Sequence, residues 1–132
     1  MSTEATCTFQ VKSWDEKPYE EFGGGAKLTR ARVTQAYRGA IEGEGSVEYL
    51  MSYTANGTAS FVGVELVKGA VAGKSGTFVI RHVGTFEGGK ARSSWVIVAG
   101  SGTGELAALR GEGNYVVGHA EPASVTFRYG FE

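Results

Sequence analysis

The chain is poor in the residues that would announce a mechanism: among its 132 residues there are one cysteine, two histidines, two prolines and a single aspartate. Cys7 has no partner for an internal disulfide, and with only His82 and His119 beside it the supply of ligands for a transition-metal site is thin. Net charge is also lacking. Thirteen Lys and Arg against 14 Asp and Glu leave −1, too little field to gather nucleic acid or an anionic membrane. No stretch approaches the ~18 apolar residues of a membrane helix. The start, "MSTEATCTF", carries neither the basic region nor the apolar core of a secretory signal. These absences predict a soluble, cytoplasmic protein with no metal or other cofactor and with neither nucleic acid nor membrane as partner.

What the chain has in excess is glycine, 21 residues, and period-two alternation. The length fits one domain spanning 1–132, and the glycines read as turns and bulges. Helical spacing occurs only in "GTGELAAL", expected as a helical turn between strands six and seven. The alternation predicts eight strands, at roughly 3–12, 26–38, 42–55, 58–71, 74–87, 90–99, 110–118 and 123–131. The segment "SWDEKPYEEFGGGA" between the first two is too long for a hairpin turn and reads as a flap over one end. Trp14 within it is expected to pack over that end.

Three short turns set a register. If Asn56-Gly57 is a two-residue type I′ loop, Ala55 faces Thr58 and Glu48 faces Glu65. Ala72-Gly73 as the next loop puts Glu65 opposite Ile80 and Gly63 opposite His82. Gly88-Gly89 as the third puts His82 opposite Trp95. One face then carries Glu48, Phe61, Gly63, Glu65, Phe78, His82, Phe86 and Trp95, a mixture of large rings and glycine that suits the tapering interior of a small closed barrel. The other carries Tyr49, Met51, Val62, Val64, Arg81 and Val96, an outer wall fit to pack on another subunit.

The runs "VEYLMSYT" (47–54), "ASFVGVELVKG" (59–69), "GKSGTFVIRHVGTFEGG" (73–89) and "GSGTGELAALRGEG" (100–113) resemble a small family of bacterial proteins of unknown function. At the level of fold that family is similar to the allene oxide cyclase-like, or calycin-like, barrels, which include plant dirigent proteins and bacterial cyclases. The resemblance implies an all-β, eight-stranded antiparallel closed barrel, often oligomeric, whose interior holds an apolar small molecule. Glu48, Glu65 and His82 sit in matching segments; the family's strand usually reads Gln-His where this chain has Arg81-His82.

Two facing carboxylates inside a barrel cannot both ionise cheaply, so one of Glu48 and Glu65 is expected to keep its proton or to share one with His82. Such a pair can move protons near neutral pH, which nominates Glu65 and His82 as catalytic residues. Glu48, Phe61, Phe78, Phe86 and Trp95 would form the ligand wall. Three functions are open on this reading. The first is a module that binds an apolar small molecule. The second is a cyclase or isomerase using the Glu/His pair. The third is a structural homo-oligomer whose interior is filled. A cavity of several hundred Å³ would favour the first two.

Overall fold

The computed structural model describes residues 2–118 and 123–131. The alternating segments form eight antiparallel strands: β1 (Thr3–Gly23), β2 (Ala26–Gly39), β3 (Ile41–Tyr53), β4 (Ala59–Val71), β5 (Lys74–Glu87), β6 (Lys90–Ile97), β7 (Leu109–Gly118) and β8 (Ala123–Phe131). Each pairs with its neighbours in the chain, and β8 returns to β1 from Thr3↔Tyr129 to Phe9↔Ala123, so the sheet closes into a ring. The apolar inner faces bury against one another. One cluster, with Phe78, Trp95 and Phe127, fills the end nearest the 98–108 connection, and a smaller one, with Val33, Tyr49 and Phe61, lies towards the other end. No described helix is long and apolar enough to cross a membrane.

"GTGELAAL" contains a single 3-10 turn, Gly104–Leu106, and its placement has a physical reason. Strand β6 stops at Ile97, opposite Ile80, and leaves the start of β5 without a partner on that side. The connection supplies one: the Ser75, Thr77 and Val79 amides donate to Glu105 Oε1, Thr103 Oγ1 and Ser101 Oγ, each at 3.0 Å. Leu106 is fully buried and plugs that end of the ring.

Two expectations fail. The 13–26 flap is instead the continuation of β1, paired with β2 as far as Gly23↔Ala26 and broken by irregularities at Val11/Ser13, Pro18/Glu20 and Glu21/Gly23. Among the described residues β8 reaches only Phe9 and nothing else pairs with this half of β1 on that side, an edge where a proline with no N–H is tolerated. The second failure concerns β3. Of the loop residues, Gly57 has positive φ (+88°) and Asn56 does not, so the loop is not the type I′ turn that needs both. Thr54 N donates to Thr58 O (2.9 Å) and Gly57 N to Thr54 O (3.1 Å), enclosing three residues rather than two. One extra residue turns every β3 side chain over.

Val47 therefore stands opposite Glu65 and Glu48 opposite Val64. Tyr49 and Met51, expected outside, are buried. Glu48, expected inside, is on the outer surface, where Arg30 Nε donates to its Oε1 at 2.8 Å. Burying Glu44 and Glu48 while exposing Val47, Tyr49 and Met51 would cost far more than an Asn-Gly turn preference returns, so the strand's own alternation decides the loop. The other two turns hold: Ala72 and Gly73 both have positive φ, as do Gly88 and Gly89, and the pairs Gly63↔His82, Glu65↔Ile80 and His82↔Trp95 form as predicted.

The edge half of β1 is anchored by Glu16, whose carboxylate accepts from Trp14 Nε1 (2.9 Å), Thr29 Oγ1 (2.6 Å) and Tyr53 OH (2.5 Å). Burial works against the charge, but these donors and the Lys27 ammonium outweigh it and hold the carboxyl below its ordinary 4.5. A carboxyl that is the stronger acid when folded stabilises fully above pH 4.5 and loses that contribution as the pH falls through its folded value. Hydrogen exchange over residues 13–23 is therefore expected to quicken in acid relative to the rest of the sheet, and Glu16→Gln to lack that acid step. Identical pH profiles for the two proteins would count against the anchor.

Candidate functional site

The inner face gathers one polar cluster. On β2 the arginines at 30 and 32 point outward, which turns the odd-numbered Gln35 and Tyr37 inward to within reach of Glu65 on β4. Gln35 Nε2 donates to Glu65 Oε2 (2.8 Å) and Tyr37 OH lies 2.9 Å from both carboxylate oxygens. From β5, His82 Nε2 meets Glu65 Oε1 at 2.6 Å. Glu65 has no solvent exposure and His82 has 1%. Among the described residues, His82 Nδ1 is the buried side-chain polar atom without a hydrogen-bond partner.

Glycines make the cluster possible. Strand β3 lies between Glu65 and its β2 donors, and a methyl group on Gly45 would overlap the Glu65 carboxylate. Gly63 leaves room for Tyr49, since a Cβ there would lie 2.5 Å from the Tyr49 ring. The Tyr49 ring then stands edge-on to His82, 5.6 Å between centroids.

The surroundings keep other acids neutral. Burial first, then the Glu65 charge and its hydrogen bond, push the Tyr37 hydroxyl well above its usual range, so Tyr37 remains a donor. Burial foremost likewise raises Tyr49 and Tyr115. Cys7 is pushed up to about 12, by burial and then by Glu65, and is no thiolate nucleophile at neutral pH.

On the far side of Gln35 and Tyr49 from this cluster, a cavity of about 120 Å³ opens at the end opposite Leu106. Its wall is formed mainly by Phe9, Val33, Tyr49, Met51, Phe61 and Phe86, with Gln35 as the amide among apolar groups. Trp14, 49% exposed, stands at the mouth and stacks on Tyr49 at 6.2 Å, as expected of a tryptophan packed over that end.

The predicted site residues divide accordingly. Glu65 and His82 meet. Phe61 and Phe86 line the cavity, whereas Phe78 and Trp95 belong to the packed cluster at the closed end and do not reach it. Glu48 is outside, so the facing pair of carboxylates does not exist. The register argument covered β3 to β6 alone and therefore missed Gln35 and Tyr37, though the alternating arginines of β2 carried the signal. No three His, Cys, Asp or Glu side chains of the described residues gather to hold a metal; His119 lies outside those residues.

No match is found among curated proteins. A crystal structure of a protein of unknown function from Shewanella oneidensis MR-1, of the DUF3224 family, superposes with a TM-score of 0.85 at 30% identity, covering 100% of this chain and 98% of that one. The family model described as "Protein of unknown function (DUF3224)" matches residues 5–129. With nearly its whole length matched in sequence and in fold, the chain belongs to the DUF3224 family.

Proposed function

We propose that residues 1–132 form a binding domain for a small apolar or amphipathic molecule, which enters the open end of the ring beneath Trp14. The observation that carries this reading is the apolar cavity that ends on the Gln35 amide. Its size limits the ligand. At about 120 Å³ it is smaller than the several hundred Å³ of a drug-sized site and comparable to the ~150 Å³ apolar cavity that holds benzene. The inserted part is therefore one ring or a short branched chain, with any longer portion lying along Trp14 and Val11 at the mouth. The resemblance to allene oxide cyclase-like barrels agrees with an apolar interior of this kind, and the cytoplasm remains the proposed location.

A second reading, proton transfer by Glu65 and His82 in a cyclase or isomerase, is favoured by the 2.6 Å contact and the unpartnered Nδ1. It requires Tyr49 to swing aside, because neither residue lines the cavity. The pair also has a structural role under either reading.

Titration with benzene and short phenylalkanes, followed by the methyl resonance of Met51, is expected to show saturable binding. Ala91→Trp, which fills the cavity from β6, should weaken it at least about tenfold while leaving the circular dichroism unchanged. Absence of saturable binding, or equal binding by the filled variant, would overturn the proposal. Glu65→Leu takes the acceptor from Gln35, Tyr37 and His82 at once and is expected to lower unfolding free energy by about 3–5 kcal/mol in urea melts. A loss below about 1 kcal/mol would show that the cluster is not structural.

A further inference from the structure

Around the outside of the ring, one row of the sheet passes from Arg32 to Glu48, Val64, Arg81, Val96 and Glu112 on successive strands. The other arginines of this row have carboxylates beside them. Arg32 lies 3.5 Å from Glu48, while Arg128, the next residue along, lies 3.6 Å from Glu4 and pairs across the strand with Glu112. Arg81 instead sits between two valines, and no described carboxylate pairs with it. The surface above and below it is apolar: Val62, Val64 and Val83 are 50%, 59% and 53% exposed. A contiguous patch of this kind on a sheet marks an interaction surface.

Glu48, on the other side of Val64 from Arg81, is half-exposed and keeps one carboxylate oxygen clear of its own arginines. Both Arg30 and Arg32 reach Oε1, and no described residue donates to Oε2. Acid, valine and base thus stand in a line, one per strand, ~4.8 Å apart.

We propose that the outer face of β3, β4 and β5 docks on a second copy of this chain about a two-fold axis running along β4. Such an axis lays Val64 on Val64 and sets β3 of each copy over β5 of the other. Because Glu48 and Arg81 share one row, each Arg81 then faces Glu48 of the second copy, twice per interface. Leu50 and Val83, which share the next row, exchange in the same way. The strands of the two copies run nearly aligned, the ordinary geometry of face-to-face sheets. The wall of a ring is convex, which restricts close contact to a few strands, and β3 to β5 hold Leu50, Val62, Val64 and Val83 together with both charges.

Sedimentation velocity on the full chain is expected to show a dimer at tens of micromolar. Arg81→Glu places like charges against Glu48, and Glu48→Arg places like charges against Arg81, so each variant alone should sediment as a monomer. An equimolar mixture of the two restores both opposite-charge contacts and should recover a heterodimer. Val64→Glu, a substitution at an exposed position on the axis, should also give a folded monomer by circular dichroism. A monomeric wild type at up to about 1 mM would overturn the proposal. So would a dimer that survives Val64→Glu or either charge reversal, or a mixture that stays monomeric. If the charge-reversed chains do not fold, the Val64→Glu result decides alone.

Discussion

The buried carboxylate of Glu65 is the constraint to which the register of half the ring answers. It sits on β4, takes donors from Gln35 and Tyr37 on β2, and meets His82 on β5, with Gly45 of β3 clearing the space between. A carboxylate without solvent is expensive unless its lone pairs are satisfied, and these three groups satisfy them. A slip of one residue would expel Gln35 and Tyr37 together from β2, or His82 from β5, or Glu65 itself from β4, and each slip leaves a buried polar group unpaired. Four strands are thereby locked by one side chain. Its charge also acts at a distance, adding to burial in keeping Tyr37 and Cys7 protonated.

The cavity follows from the same arrangement. Three glycines of the inner face leave no holes, since a ring from the next strand lies against each: Tyr49 over Gly63, Phe61 over Gly84, Trp95 beside Gly113. Towards the closed end this alternation of large and small is complete, and Leu106 finishes it. At the open end Phe9, Phe61, Phe86, Ala91 and Val117 line the space, and among the described residues β8 pairs with β1 no further than Phe9. Space therefore remains where the sheet runs out of paired strands. Gln35 lies between that space and Glu65, so an occupant touching the amide touches the cluster at one remove.

How much of this could be read beforehand depended on which local rule had a competitor. Ala72-Gly73 and Gly88-Gly89 had none, and β4, β5 and β6 with Glu65, His82 and Trp95 came out in their observed pairing. Asn56-Gly57 competed with the alternation of Glu44 and Glu48 against Val47, Tyr49 and Met51, and the turn rule lost because burying charge is the larger penalty. The second half of β1 was hidden by Pro18, three glycines and scattered charge, all permitted on an edge paired on one side. Gln35 and Tyr37 were legible through Arg30 and Arg32, but a register argument confined to hairpins never reached β2. The cavity volume depends on how far rings approach across the interior, which no strand pattern records.

Inside and outside are finally not independent. Val64 and Glu65 are adjacent on β4, as Arg81 and His82 are on β5, and Arg81 faces Val64 where His82 reaches Glu65. Because side chains alternate, the bond that places His82 against Glu65 also places Arg81 beside Val64 on the outer wall. Any register that preserved the inner pair would preserve the outer row, and any that broke one would break both. A titratable ring and a guanidinium next to each other in an apolar strand are thus one specification read on two faces. The inner member holds the strands in place, and the outer member inherits its position from that hold.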